Sequence, residues 1–119
     1  MNPYRRPPGF NIAELVRQTD RMRLVRKKEL RTGDTVVVKT NNSMYTIRAE
    51  KSGRFLVSGG WFDRKGLGPM ETTIAGCTWG GSAIIADAVA AVGQHIEFGN
   101  RVVTSPVASF FVIPREVLN

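Results

Sequence analysis

The chain has 119 residues, 42% of them hydrophobic and 23% charged, a balance that supports one domain with its own core and needs neither a metal nor a disulfide framework to fold. Its single cysteine, Cys77, excludes an internal disulfide and points to a reducing compartment, so a cytoplasmic location is expected. The net charge of +7 is lopsided: residues 1–31 hold nine Lys/Arg against three acids, and the remaining 88 residues are close to neutral. A charge excess confined to one end reads as a segment that faces something acidic.

Residues 1–10 combine Pro3, Pro7 and Pro8 with Arg5 and Arg6, and the composition predicts a disordered basic tail. The Arg-Arg pair runs into Pro7-Pro8-Gly9 rather than into an apolar export signal, and no stretch reaches the ~20 apolar residues of a membrane span. A single mainly β domain is expected over residues 11–119. It opens on a helix capped by Asn11, with Glu14 three residues on and an apolar stripe of Ile12, Leu15, Val16, Thr19 and Met22.

From residue 34 the period changes to two. Thr35–Thr40 and Met44–Ala49 flank the turn Asn41-Asn42-Ser43, and Lys51-Ser52-Gly53 leads into Arg54–Ser58, which predicts a three-stranded meander. Residues 59–81 are rich in glycine and carry both tryptophans, in Ser58-Gly59-Gly60-Trp61-Phe62-Asp63 and Gly76-Cys77-Thr78-Trp79-Gly80-Gly81-Ser82. A long connection with one short strand near Glu71–Ala75 is expected there. Whether the two indoles serve the core or the surface is open at this level.

The alanine-rich run Ser82–Val92 suits a helix or a strand, and its all-β surroundings favour the strand. Gln94–Phe98, the turn Gly99-Asn100 and Arg101–Ser105 read as a hairpin, and Pro106 predicts a kink or bulge before a last strand over Val107–Ile113. About six to seven short strands with regular turns predict a small antiparallel β-barrel or sandwich with one N-terminal α-helix.

Chemistry is sparse. Cys77 and His95 could pair as nucleophile and base, with Asp87 or Glu97 orienting the ring, but their context reads more simply as a small buried thiol and a surface strand residue. A Cys-dependent enzyme is thus a remote alternative. No metal site and no cofactor are expected, since soft ligands occur once each, and Gly66-Leu67-Gly68-Pro69 lacks the amide donors of a phosphate loop. The leading expectation is a non-enzymatic binding module for nucleic acid, either single-stranded or structured RNA. Arg17, Arg21, Arg26, Lys27, Lys28, Arg64 and Lys65 would contact phosphates, and Trp61 and Phe62 would supply a stacking platform. The alternative is a domain that binds a protein partner or a second copy of itself, with Phe110-Phe111 on an exposed edge. Membrane binding is not expected, because the predicted helix lacks an aromatic on its apolar side and carries Glu14 and Asp20.

Overall fold

The computed structural model describes residues 23–80 and 83–118, and among these the alternation of β-branched and polar residues builds ten strands. The expected tail over 1–10 and the expected helix over 11–22, with Arg17 and Arg21, lie outside the described residues.

The strands are β1 (Leu24–Arg26), β2 (Thr35–Thr40), β3 (Met44–Ala49), β4 (Phe55–Gly59), β5 (Met70–Thr72), β6 (Ile74–Thr78), β7 (Ile84–Ile85), β8 (Ala88–Ala91), β9 (His95–Phe98) and β10 (Val107–Ile113). They form three antiparallel sheets, with orders β10-β2-β3-β4-β5, β7-β6-β9 and β1-β8. Among the described residues no helix is long and apolar enough to cross a membrane.

The expected meander is present as β2-β3-β4. Thr40 N–H donates to the Ser43 carbonyl at 2.8 Å to close the first turn, and the register sets Val36, Ile47 and Val57 side by side. All three are fully buried, while Thr46 and Arg48 on the opposite face are exposed. Period-two alternation therefore decides which face is core, and each such side chain contributes roughly 1.5–3 kcal/mol on leaving water.

Asp34, 2% exposed, secures the entry to this sheet. Its carboxylate accepts the backbone N–H groups of Arg31 and Arg115, both at 2.8 Å, and the Arg31 guanidinium at 3.3 Å. The Arg31 guanidinium also donates twice to Glu116 at 2.7 Å, and those hydrogen bonds hold it still more firmly protonated than usual. One buried carboxylate thereby ties the C-terminal segment to the start of β2.

The sheets do not close into the expected barrel. β5 ends at Thr72 in the large sheet and β6 resumes at Ile74 in the small one, so the chain changes sheets at Thr73. Strands β10 and β5 are left as opposite edges. The predicted single strand near Glu71–Ala75 is thus two. Ser82–Val92 contains strand, as favoured, and all four residues of β8 are buried.

Arg101–Ser105 is not the full hairpin partner expected. It makes one isolated bridge, Glu97 to Val103. The Thr104 hydroxyl takes the place of a ladder carbonyl by accepting the Ile96 N–H at 3.0 Å. The irregularity predicted at Pro106 appears as a register shift between Val107 and Ser109.

Candidate functional site

Gly59 and Gly60, with φ of +94° and +45°, turn the chain out of β4 into a helical turn, Gly60–Arg64. A side chain at Gly60 would collide with the Tyr45 ring, whose hydroxyl accepts the Trp61 N–H at 3.4 Å. This bend drives Phe62 inward, where it is fully buried and meets Phe98 edge-on at 5.1 Å and Trp61 edge-on at 5.2 Å. The stacking platform expected of Trp61 and Phe62 is therefore corrected. Phe62 presents no face to solvent, because an aromatic cluster absorbs it, and Trp61 is half-buried against it.

Arg64 and Lys65 are exposed, and Arg64 donates to the Ser43 hydroxyl at 3.1 Å beside the β2–β3 turn. The other expected phosphate contacts lie on different elements, with Arg26 ending β1 and Lys27 and Lys28 in the 3-10 turn that follows. Arg26 reaches both carboxylate oxygens of Asp87, at 2.7 and 2.9 Å, and its hydrogen bond holds the Asp87 carboxyl below the usual range. Its backbone N–H donates to Glu29 at 3.1 Å. Among the described residues no hydrogen bond or ion pair joins the Arg26–Lys28 group to the Arg64–Lys65 group.

Cys77 and His95 do not form the pair weighed from sequence. Cys77 stands opposite Ile96 and His95 opposite Thr78, so the thiol and the imidazole leave the sheet on opposite faces. Cys77 is fully buried, and that burial pushes its thiol up to about 12. Among the described residues no group of three or more His, Cys, Asp or Glu is placed to hold a metal ion.

The surface feature that stands out is Trp79, which is 72% exposed. It follows the last residue of β6, and its six-membered ring packs against Gly93, where a Cβ would come within 3.2 Å of ring carbon Cζ3. Gly93 has a φ of +87° and offers bare backbone as a floor. The next residue, Gly80, donates its N–H to the Thr78 hydroxyl at 3.1 Å.

His95 stands beside this loop. Its Nδ1 lies 2.7 Å from the Thr104 carbonyl, which can only accept, so in the neutral ring Nδ1 carries the proton and Nε2 is an acceptor. That Nε2 lies 3.9 Å from where a Cβ on Gly80 would be. Ile84, 41% exposed and paired with Thr78, borders the same face.

The Arg23 backbone reaches the same loop. Arg23 is exposed, and its carbonyl accepts the Val92 N–H at 2.8 Å, one residue before the glycine under the indole. Sequence reasoning left Trp79 undecided and chose Trp61. The available signal was position, because Trp79 lies past the end of an alternating strand and is followed by two glycines. Comparison of the chain with protein-family models, with curated proteins and with solved structures returns no match.

Proposed function

We propose that this protein is a small, non-enzymatic binding module for nucleic acid, single-stranded or the unpaired bases of structured RNA, and that Trp79 is its stacking platform. One observation carries the reading: an indole 72% open to solvent packs against Gly93, one residue after Val92, whose N–H bonds the carbonyl of the exposed Arg23. An indole this open to solvent offers a face to a base, and every base has a π-face, so such contacts tolerate sequence. Arg17, Arg21 and Arg23 supply charge for the flanking phosphates, with Lys27 and Lys28 further along. His95 Nε2 offers an acceptor beside the ring for an exocyclic amine. A cytoplasmic setting fits this ligand and the lone reduced thiol.

The test is binding of a fluorescent mixed-sequence oligonucleotide, followed by anisotropy from ~50 to ~200 mM salt, the range in which phosphate contacts weaken steeply. The expected result is binding at the low end, with log K falling linearly against log salt by about 0.7 per phosphate contact for single strands. Absence of binding at the low end overturns the reading.

A further inference from the structure

Among the described residues β10 is the longest strand, and its place at the end of the five-stranded sheet leaves one side of it with a single isolated bridge, Val107 to Val92. The ladder shows which of its peptide groups are spent. Asn41 N–H donates to the Pro106 carbonyl at 3.0 Å, while Thr40 N–H points the other way, to Ser43. Odd-numbered residues of β2 therefore face β10, and their partners Ser109, Phe111 and Ile113 use their groups inside the sheet. Phe110 and Val112 direct theirs outward.

The start of this edge is already covered. Val107 donates its N–H to the Gln94 carbonyl at 2.9 Å and accepts the Gly93 N–H at 2.8 Å. Beyond it, among the described residues, the N–H and C=O groups of Phe110 and Val112 pair with no other strand.

Natural edges are blunted by shortness, charge or proline. Two other edges follow that rule: β7 has two residues, and β5 has three, with Pro69 before it and Glu71 ion-paired to Arg54. β10 does not, for Val107–Ile113 runs seven residues as Val-Ala-Ser-Phe-Phe-Val-Ile without a charge. The sheet face beside it carries a shallow groove of about 290 Å³ lined by the apolar Ile113, Val37, Leu56 and Pro69 and by the polar Thr46 and Arg48.

We propose that β10 pairs antiparallel with β10 of a second copy of this chain, about a two-fold axis at Phe111. This register places Phe110 of one copy opposite Val112 of the other, so all four outward groups on each copy gain partners. Phe111 then faces its own counterpart in a non-hydrogen-bonded pair, where cross-strand side chains come closest. An uncharged edge suits its own copy because a two-fold sets like residues together and no like charges meet. The two large sheets become one continuous sheet of ten strands. The test of this pairing reads mass and cross-linking rather than oligonucleotide binding, so the pairing stands or falls apart from the nucleic-acid reading.

The test is the solution mass of the full chain by light scattering over a concentration range, together with an oxidative cross-link in Phe111→Cys. The only native thiol, Cys77, is buried, so the new one reports alone. The expected result is a mass twice that of the chain and a cross-linked dimer under oxidant. Val112→Pro deletes an outward donor without touching the β2 ladder, and Phe111→Lys brings two cations together at the axis. Each variant, with its circular dichroism unchanged, is expected to raise the dissociation constant at least tenfold. A wild-type chain that stays monomeric at all concentrations overturns the proposal. So does a dimer that survives both substitutions, or one in which Phe111→Cys fails to cross-link.

Discussion

Trp79 lies on Gly93 with no room between them: a methyl group at residue 93 would stand 3.2 and 3.3 Å from two carbons of the indole. Gly93→Ala must therefore push the ring away, and at a φ of +87° it also strains the backbone. The expected outcome is a loss of about 1 kcal/mol or more in stability and a weakened grip on oligonucleotide. Urea unfolding and anisotropy on the same variant check both, and an unchanged affinity would show that the seat of the indole does not matter.

Phe62 separates structure from recognition. It is fully buried among Tyr45, Trp61 and Phe98, and Phe62→Ala is expected to cost about 3–5 kcal/mol. The salt dependence of binding by the remaining folded fraction should not move, because no ligand reaches that ring. A change in the salt slope alone, with stability intact, would contradict this placement.

Much of the scaffold was legible in the residues, and the reason is periodicity. Val36, Ile47 and Val57 sit at alternating positions in runs bounded by turn residues, so the meander and its buried face followed directly. Pro106 announced its irregularity because a residue without an N–H cannot continue a ladder. The crossing between sheets at Thr73 was hidden, since Met70–Thr78 reads as one β-prone run and nothing local marks the switch. The two tryptophan clusters were equally opaque. Gly-Trp and Trp-Gly strings look alike, yet at Gly60 the turn sends Phe62 into the core with Trp61 half-buried against it, whereas at Trp79 the strand has already ended.

Cys77 links burial to alkaline stability. Its thiol is raised from an ordinary 9.0 to about 12 in the folded chain, so the native state keeps the proton that the unfolded state releases. The stabilisation is complete below pH 9 and disappears as pH climbs toward 12. The difference in unfolding free energy between wild type and Cys77→Ala should therefore shrink by up to about 1.4 kcal/mol per pH unit in that window. A flat difference between pH 8 and 11 would refute it, as would fast labelling of the folded thiol near neutral pH.

Asp34 is the carboxylate whose loss the fold should tolerate least. Asp34→Ala strands the Arg31 and Arg115 backbone donors and removes the buried counter-charge of the Arg31 guanidinium. Because Arg31 keeps Glu116, the cost is that of the stranded backbone donors, about 1–3 kcal/mol for each. Chemical denaturation that shows under 1 kcal/mol would mean that Glu116 alone anchors the C-terminal segment.

The most direct measurement compares oligonucleotide affinity at ~50 mM salt for wild type, Trp79→Ala and Trp61→Ala, each confirmed as folded. Stacking of one base is worth about 1–3 kcal/mol, so Trp79→Ala should weaken binding roughly 5- to 150-fold while Trp61→Ala leaves it nearly unchanged. Equal affinity in wild type and Trp79→Ala would contradict the assignment of the exposed indole as the platform.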